Sequence, residues 1–479
     1  MRIAELAGRT VAVWGLGREG RAALAALHAR APELMPTLFC SEEEARLFGI
    51  EETSRLTPLA PKPGNSVVGD GGSGFSRDAV HIETDPPDGA ALSAFDLVIK
   101  SPGISAYRAE ILEARHNGTH FTSGTALWFA EHPQSRVIAV TGTKGKSTVS
   151  ALIAHLLRSL GRRVALAGNI GLPLLELLDP PQEPDWWVIE LSSFQTRDAG
   201  AVEVGIVNNL YEEHLDWHGS RERYAEDKLT LANASRTLVV NALQPELQSR
   251  LAAHPRLFPF GTAAGWHVSD GAVMRGSTRV FEIDESPLPG LHNAMNACAA
   301  LAAIEAAGED AIGAAAAIGS FNPLPHRLQM LGERDGRVFV DDSIATTPQA
   351  TLEALASFGD RPVTVLVGGY DRGLDWRPFV QAMREAPPHA IVTMGANGER
   401  IRASLNLAGG NHRLESAATL EDALPLAIAA TPIGGVVLLS PGAPSFDQFK
   451  DYVERGCAFA RMAGFDPATI GMIDGLGIA

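Results

Sequence analysis

One stretch of the sequence reads Val137-Ile138-Ala139-Val140-Thr141-Gly142-Thr143-Lys144-Gly145-Lys146-Ser147-Thr148. Its apolar start predicts a buried β-strand, and the largely apolar residues 149–157 that follow predict a helix. A glycine turn between a strand and a helix N-terminus is an anion site, because backbone N–H groups and the helix dipole favour negative charge there. Lys146 adds a positive charge for a phosphate, and the Ser147 hydroxyl can bind a magnesium ion. The strict phosphate-loop pattern needs a glycine where Val140 stands, so this loop has a shorter spacing.

Composition narrows the class of protein. A length of 479 residues predicts two to four domains. The net charge of −16 argues against a nucleic-acid-binding face, and it suits small anionic substrates only if positive charge is concentrated at the site. The three distant cysteines, Cys40, Cys298 and Cys457, predict no disulfide framework and a reducing, cytoplasmic compartment. No apolar run reaches the ~20 residues of a membrane helix, and residues 1–5 open without a signal-peptide apolar region.

Strand-like apolar runs alternate with Ala/Leu-rich helical stretches along the chain, which predicts α/β layers with parallel sheets. Residues 10–14 form the first predicted strand and lead into Gly15-Leu16-Gly17-Arg18-Glu19-Gly20. This turn indicates either a diphosphate site or only tight strand–helix packing. Residues 61–78 are rich in Pro, Gly and Ser and predict a surface loop. New units begin near Gly124 and near Leu324, and the Ala-rich residues 295–319 predict helix.

Several side chains follow predicted strands and carry alternative interpretations. The turn Ser101-Pro102-Gly103 is either a plain turn or a contact for phosphate or uridine. Glu190 ends the run 186–189 and is either a magnesium ligand or a structural acid. His214 is either a metal ligand, a hydrogen-bond donor or neither. Lys228, judged by its helix alone, is predicted to be a solvated lysine.

Polar residues of the later part of the chain also leave two interpretations open. Asn293 and Asn296 either cap a helix or bind the edge of a purine. Arg327 is either a surface residue or a cation that stabilises transition-state charge, and Asp342 follows it in the third unit.

Taken together, these motifs resemble the Mur ligases, the ATP-dependent amide ligases that build the peptidoglycan peptide. Within that family the chain is most similar to the glutamate-adding, MurD-type branch. The resemblance extends over essentially the whole chain and rests on segments in the family's order: Gly15–Gly20, Lys100–Ser105, Thr141–Thr148, Gly168–Gly171, Glu190–Gln195, Glu213–Asp216, Lys228, Gly290–Asn296, His326–Arg327, Asp342–Thr346 and Leu439–Lys450 with Arg455–Gly456.

The resemblance implies three α/β domains. Residues 1–123 would form a Rossmann-like domain for the uridine diphosphate part of UDP-N-acetylmuramoyl-L-alanine. Residues 124–323 would form the central, phosphate-loop-type ATP domain. Residues 324–479 would form a Rossmann-like domain that closes over ATP and brings in glutamate. The implied protein is a monomer that uses ATP and Mg²⁺, with no nucleic-acid or membrane partner.

The resemblance also implies roles for individual residues. The implied catalytic residues are Lys146, His214, Lys228 and Arg327. The implied ligands of ATP are Gly142, Thr143, Lys144, Gly145, Lys146, Ser147, Thr148, Asn293, Asn296, Arg327 and Asp342. Magnesium would be held by Ser147, Glu190, His214 and a carbamylated Lys228. The implied substrate contacts are Gly15, Leu16, Gly17, Ser101, Pro102, Gly103, Asn169, Ser192, Thr346, Arg372, Ser445 and Phe449.

The amino-acid pocket departs from the usual MurD pattern. Ile344 stands where lysine is common, Arg372 stands at a lysine or arginine position, and Pro444 stiffens the segment 442–445. These changes resemble the variant branch that adds L-glutamate and relies on a separate epimerase, so we expect L-glutamate, with D-glutamate as the alternative. Two further alternatives are a folylpolyglutamate-synthase-like ligase, which would lack a domain equivalent to residues 1–123, and a non-enzymatic nucleotide sensor, which would have a damaged phosphate loop.

Overall fold

A computed structural model describes residues 1–47, 80–211, 215–288, 290–371, 373–409, 413–471, 473 and 475–478. The chain forms two compact units. The first contains Met1–Glu282, Met295–Ile318 and Gly475–Ala479, and the second contains Ile283–Ala294 and Gly319–Asp474. The predicted surface loop at 61–78 lies outside the described residues, and the division into three domains stays a prediction.

The N-terminal sheet of the first unit has five parallel strands in the order β3-β2-β1-β4-β5. Its strands are β1 (Val11–Trp14), β2 (Thr37–Phe39), β3 (His81–Glu83), β4 (Leu97–Lys100) and β5 (His120–Thr122). Its helices are α1 (Arg18–Arg30), α2 (Glu42–Leu47), α3 (Gly89–Leu92) and α4 (Ala109–His116). The strand order reverses between β1 and β4, and open α/β sheets bind ligands at such a switch point.

The central sheet of the same unit has seven strands in the order β11-β10-β9-β6-β8-β7-β21. Its strands are β6 (Val137–Thr141), β7 (Val164–Gly168), β8 (Trp186–Glu190), β9 (Val202–Val207), β10 (Ser235–Asn241), β11 (Leu257–Phe260) and β21 (Gly477–Ile478). Its helices are α5 (Gly124–Glu131), α6 (Lys146–Ser159), α7 (Leu215–His218), α8 (Arg221–Leu229), α9 (Leu231–Ala234) and α10 (Pro245–Leu251). Every pairing is parallel except that of β21 with β7. Strands β6, β7 and β8 are buried along their whole length, as is typical of parallel strands covered on both faces.

The first unit also contains a small antiparallel sheet and two further helices. The sheet contains β12 (Trp266–Ser269), β13 (Ala272–Arg275) and β14 (Thr278–Glu282), and the helices are α11 (Leu291–Ala306), whose first turn is part of the second unit, and α12 (Ala311–Ala315). Glu305 of α11 accepts hydrogen bonds from Trp266 and Arg275, which attaches this sheet to the helix. Helices α11 and α12 together cover most of the Ala-rich stretch 295–319 predicted to be helical.

The second unit contains a six-stranded sheet in the order β15-β16-β20-β17-β18-β19, in which only the edge strand β15 is antiparallel. Its strands are β15 (Gln329–Arg334), β16 (Arg337–Asp341), β17 (Val363–Val367), β18 (Ala390–Thr393), β19 (Arg413–Ser416) and β20 (Val436–Leu439). Its helices are α13 (Pro348–Ala356), α14 (Arg377–Glu385), α15 (Gly398–Ala408), α16 (Leu420–Ala430) and α17 (Tyr452–Ala463). The predicted α/β class is confirmed.

Two helices begin earlier than the apolar pattern predicts, each directly after a glycine N-cap. Helix α6 starts at Lys146 rather than Val149, because Gly145, with a left-handed φ of 77°, is its N-cap. Helix α1 likewise starts at Arg18, directly after its N-cap Gly17. No helix in the described parts of the chain combines the length and the apolar character needed to cross a bilayer.

Candidate active site

The loop between β6 and α6 has the backbone that a phosphate site requires. Gly142 and Gly145 have φ values of 153° and 77°, a region that favours glycine. A Cβ on Gly145 would lie 2.4 Å from Oδ1 of Asn296, so the loop has no room for a side chain there. The Nζ of Lys146 donates to the Thr143 carbonyl oxygen at 3.1 Å. Lys146 therefore lies beside the loop at the N-terminus of a 14-residue helix.

Two asparagines after β9 hold this loop in shape. Asn209 Oδ1 accepts from the Lys144 backbone N–H at 2.7 Å, and the Nδ2 atoms of Asn208 and Asn209 each donate to the Lys144 carbonyl at 3.0 Å. Asn208 also donates to Oδ1 of Asn296 at 2.9 Å, which connects the loop to α11. Sequence reasoning gave Asn208 and Asn209 no role, although two adjacent amides directly after a buried strand were a usable signal.

Lys228 is a buried residue of α8, only 2% exposed. Its Nζ donates to the Gly142 carbonyl at 2.8 Å and lies 4.8 Å from the centre of the Tyr224 ring. The Tyr224 hydroxyl in turn hydrogen-bonds Oγ1 of Thr143 at 2.7 Å. The prediction of a solvated lysine, made from the helix alone, is wrong, because α8 packs this side chain against the phosphate loop.

Glu190 ends β8 beside the loop, since its register partners are Val140 on β6 and Gly168 on β7. The carboxylate is 1% exposed. Its Oε1 accepts from Nδ2 of Asn169 at 2.7 Å, whereas Oε2 has no hydrogen-bond partner among the described residues. A buried, unsatisfied carboxylate oxygen is costly, which indicates that a ligand completes it.

These residues fit a magnesium ion better than a metal held by the protein alone. In the described ranges no group of three or more His, Cys, Asp and Glu side chains forms a metal site. Mg²⁺ commonly takes one or two carboxylates, water and substrate phosphates. The second oxygen of Glu190 and the buried Ser147 hydroxyl at the start of α6 provide that kind of donor set. His214, the other predicted ligand, lies outside the described residues.

Asn293 and Asn296 lie inside α11, which begins at Leu291. Both side chains are buried. The interpretation that these asparagines cap the helix is therefore wrong, because a capping side chain precedes the first helical residue.

The predicted dinucleotide-type turn lies at the switch point of the N-terminal sheet. Gly15 has a φ of 96°, and a Cβ there would lie 2.7 Å from Oγ of Ser101, which donates to the Gly15 carbonyl at 3.3 Å. The structure thus brings together the two segments predicted to bind the substrate, Gly15–Gly17 after β1 and Ser101–Gly103 after β4. Ser192, also predicted to face the substrate, donates its hydroxyl to Gln195 at 2.8 Å, and its substrate contact stays a prediction.

In the second unit, Asp342 directly follows β16 and is buried. Its Oδ1 accepts from the Leu328 backbone N–H at 3.2 Å, and its Oδ2 accepts from the Ser440 hydroxyl at 2.8 Å. Burial raises the pKa of this carboxyl to about 7, while the nearby cation of Arg327 acts in the opposite direction. Asp342 thereby holds the loops after β16 and β20 together.

The segment containing His326 and Arg327 is shaped by backbone strain. His326 and Leu328 have positive φ values of 60° and 45°. The His326 ring hydrogen-bonds Oδ2 of Asp341 at 2.7 Å, with both side chains buried. Left-handed backbone at residues other than glycine persists only where the surroundings enforce it, and such strain clusters at functional sites.

The residues predicted to bind the substrate glutamate belong to loops at the carboxyl edge of the six-stranded sheet. The Tyr370 backbone N–H donates to the Pro444 carbonyl at 2.9 Å, which joins the loops after β17 and β20. Ser445 is buried, Thr346 is half-buried, and Phe449 packs against a core cluster. Arg372 lies outside the described residues.

Arg455 is a buried residue to which sequence reasoning gave no role. It donates to the hydroxyl and the carbonyl oxygen of Ser343 at 3.0 and 2.8 Å, and its Nη1 has no partner among the described residues. Burial lowers the pKa of this guanidinium to about 10. Its spacing along α17 was no guide, because an arginine on a helix is usually exposed.

Two family models match the chain. The Mur ligase middle domain matches residues 140–304, and the Mur ligase glutamate ligase domain matches residues 326–442. A protein of Xanthomonas axonopodis pv. citri named UDP-N-acetylmuramoyl-L-alanine–L-glutamate ligase is 50% identical, with both chains fully covered. A protein of the same name from Micromonospora is 39% identical, covering 96% of this chain and 97% of its own.

Solved structures share the fold at low identity. MurC from Thermotoga maritima matches with a TM-score of 0.58 and 19% identity, covering 95% of this chain and 99% of its own. Folylpolyglutamate synthase from Mycobacterium tuberculosis, complexed with ADP, matches with a TM-score of 0.55 and 17% identity, covering 72% and 94%. The resemblance to MurD-type ligases is confirmed by the full-length relatives. The chain belongs to the Mur ligase family and is an ATP-dependent ligase.

Proposed function

We propose that this protein joins L-glutamate to UDP-N-acetylmuramoyl-L-alanine, with hydrolysis of ATP to ADP and phosphate, in peptidoglycan synthesis. The observation that carries the proposal is the full-length identity of 51% to a Xanthomonas euvesicatoria protein named UDP-N-acetylmuramoyl-L-alanine–L-glutamate ligase. The convergence of the phosphate loop, Glu190 and Lys228 at one edge of the central sheet supports it.

We assign the binding of the UDP-linked substrate, ATP and glutamate to three domains. Residues 1–123 bind the uridine diphosphate group at the switch point near Gly15 and Ser101. Residues 124–323 bind ATP, with Lys146 on its terminal phosphates and Asn293 and Asn296 on the adenine side. Residues 324–479 supply Arg327 and Asp342 to the nucleotide and bind glutamate through Thr346, Arg372, Ser445 and Phe449.

The proposed chemistry begins with an unreactive carboxylate. The terminal alanyl carboxylate lacks a leaving group, so one of its oxygens attacks the γ-phosphorus of ATP and ADP leaves. The amine of glutamate then attacks the acyl phosphate, loses a proton and expels phosphate from the tetrahedral intermediate. The first step brings two anions together, and Lys146 and Arg327 lower that repulsion and stabilise the transition-state charge.

Magnesium fits the donor set at the end of β8. Ser147 and Glu190 would hold one ion, and His214 with a carbamylated Lys228 would hold another. Carbamylation turns the buried lysine cation into an anionic oxygen donor, which suits a hard divalent cation. When bound, magnesium would neutralise phosphate charge during transfer.

The loops of the second unit support the preference for L-glutamate that the names of the relatives suggest. Glutamate carries two carboxylates and one amine. In either enantiomer the amine must lie beside the acyl phosphate, so the D- and L-forms place at least one carboxylate at a different position in the pocket. Ile344 removes a cation common in D-glutamate ligases, and Pro444 stiffens the neighbouring loop. Two Xanthomonas relatives that carry the name L-glutamate ligase match the whole chain.

The proposed test is an assay of phosphate release with ATP, UDP-N-acetylmuramoyl-L-alanine and each glutamate enantiomer. We expect activity that depends on all three substrates and favours L-glutamate, and we expect Lys146→Ala to abolish it. Activity with D-glutamate alone, or equal activity with both, would refute the enantiomer preference. Activity on a folate in place of the UDP-sugar would favour a folylpolyglutamate-synthase-like ligase, and nucleotide binding without turnover would favour the sensor.

The proposed reaction also defines its setting. A product carrying L-glutamate requires a separate epimerase if the cell wall contains the D-enantiomer. We further propose a monomer in the cytoplasm, where ATP and nucleotide-linked sugars are available, and the free thiols of Cys40, Cys298 and Cys457 suit that compartment.

A further inference from the structure

A buried carboxylate lies beside Lys228 and belongs to none of the roles assigned above. Asp227 is 1% exposed and accepts from the Tyr107 hydroxyl, which lies 2.9 Å from each carboxylate oxygen. It also pairs with Arg197 and hydrogen-bonds Nδ1 of His218 at 2.7 Å. An ionised carboxylate only accepts hydrogen bonds, so all three partners donate to it.

The network continues towards Glu190. Nε2 of His218 hydrogen-bonds the Ser193 hydroxyl at 2.9 Å, three residues after the end of β8. The hydrogen-bonded series Ser193–His218–Asp227 has the same residue types as a hydrolytic triad. However, Ser193 is 4% exposed and His218 is fully buried. Without access for a substrate, this arrangement acts as a fixed connection between the segment after Glu190 and helix α8.

The same network reaches the N-terminal sheet. Tyr107 lies seven residues after the end of β4, in the stretch that begins with the turn Ser101–Gly103. This stretch is attached to α7 by two hydrogen bonds: the Ser105 hydroxyl donates to the Trp217 carbonyl at 2.6 Å, and Nε1 of Trp217 donates to the Pro102 carbonyl at 3.1 Å. The proposed uridine-diphosphate loop and the helix that carries Lys228 are therefore connected through Asp227.

Stability alone does not explain a charge at this position. Removing a carboxylate from water is unfavourable, and well-packed apolar residues often replace a buried ion pair with no loss of stability. Asp227 instead fixes how three segments are oriented around it, because the donors on these segments can all reach the carboxylate in one arrangement only.

We propose that Asp227 is a positioning residue that sets the Lys228 side chain against the phosphate loop by joining Tyr107, Arg197 and His218. This inference rests on the proposed function, in which Lys228 helps to hold magnesium. It predicts that loss of the Asp227 charge weakens magnesium-dependent steps while leaving the fold in place.

The test compares the full-length protein with Asp227→Asn, Tyr107→Phe and the double variant. Three quantities are measured: kcat at a range of Mg²⁺ concentrations, calorimetric affinity for ADP with and without Mg²⁺, and the thermal midpoint. We expect Asp227→Asn to lower kcat and the magnesium-dependent gain in ADP affinity ~10-fold. We expect Tyr107→Phe to lower them about 3-fold, with a smaller effect in the Asp227→Asn background because the hydroxyl acts through Asp227.

The matched control is Asp185→Asn. Asp185 lies just before the amino end of β8, the end opposite Glu190, where it accepts from the Arg163 backbone N–H at 2.8 Å. The inference is wrong if Tyr107→Phe keeps wild-type kcat and magnesium dependence, if Asp227→Asn loses only thermal stability, or if Asp185→Asn shows the same losses. Wild-type protein that does not ligate glutamate would contradict the proposed function, whereas the ADP titrations would still test the role of Asp227.

Discussion

Two buried carboxylates lie at the carboxyl ends of strands, one in the seven-stranded sheet and one in the six-stranded sheet, yet their surroundings differ. Glu190 ends β8, and Asp342 follows β16. One oxygen of Glu190 has no partner in the described part of the chain, whereas both oxygens of Asp342 accept hydrogen bonds from their own unit. Glu190 is therefore prepared to take a ligand, and Asp342 is prepared to fasten loops. Position at a strand end identifies a candidate, but the hydrogen-bond partners decide its role.

The largest effect is expected for Glu190→Gln. The substitution keeps the volume and an acceptor oxygen for Asn169, but it removes the charge and turns the other oxygen into an NH₂ donor, so we expect kcat/KM to fall ~10³-fold. The thermal midpoint should stay the same or rise, because a buried carboxylate oxygen without a partner is costly. The measurement is phosphate release alongside thermal unfolding, and near-normal turnover would show that Glu190 is a structural acid.

Lys228→Ala should lower turnover ~10²-fold, and formate or acetate should restore part of it. The small anion would fill the place of the proposed carbamate beside Gly142. The control is Arg236→Ala, which removes an exposed cation paired with Glu203 near the amino end of β10. Full turnover by the Lys228 variant without added anion would refute the carbamate role.

Gly145→Ala tests how tightly Asn296 packs against the phosphate loop. The backbone strain and the 2.4 Å approach to Asn296 should lower the free energy of unfolding by ~1–3 kcal/mol and weaken ATP binding. Gly161→Ala is the matched control, because Gly161 has nearly the same φ, 76°, but no atom within 4 Å of an added Cβ. Equal losses in the two variants in urea unfolding would show that the contact with Asn296 does not matter.

The smallest effect is expected for Asp342→Asn, as a function of pH. The native carboxyl keeps its proton up to about pH 7, whereas the unfolded one releases it near 3.8. Between these values the native state holds more protons, so the wild-type free energy of unfolding falls as pH rises, and the variant lacks this fall. The variant should gain at least about 1 kcal/mol on the wild type between pH 5 and 8 in urea unfolding.

The control for that experiment is Asp375→Asn. Hydrogen bonds from Arg377 lower the pKa of the exposed Asp375 to about 2, so its titration lies below the tested range. A wild-type curve parallel to that of Asp342→Asn would mean that Asp342 is ionised throughout the tested pH range.

Local patterns in the sequence were sufficient for the α/β class, the strand–turn–helix at 137–159 and the convergence of Glu190 with the phosphate loop. These follow from burial of apolar strands and from the geometry of parallel sheets, both of which are local or general. The burial of Lys228 could not be predicted, because its helix has few apolar residues and its partner, Gly142, is 86 residues away. The amide pair Asn208 and Asn209 shows the same limit, since its effect depends on which strand lies beside β6.

The glutamate pocket could be predicted least. Its residues lie on loops after several strands, and enantiomer choice depends on the placement of one carboxylate among them. Ile344 and Pro444 mark a departure from the usual pattern, but a departure does not by itself give the direction of the change. Full-length relatives supplied that direction for the proposal.

The short strand β21 has a consequence for handling the protein. It pairs antiparallel with β7 and covers one edge of the central sheet, and Nη2 of Arg158 fastens it through the Gly475 carbonyl at 2.7 Å. A deletion of residues 475–479 would leave the backbone groups of β7 open, and an unpaired edge is a template for intermolecular pairing. The expected result is aggregation rather than a change in specificity.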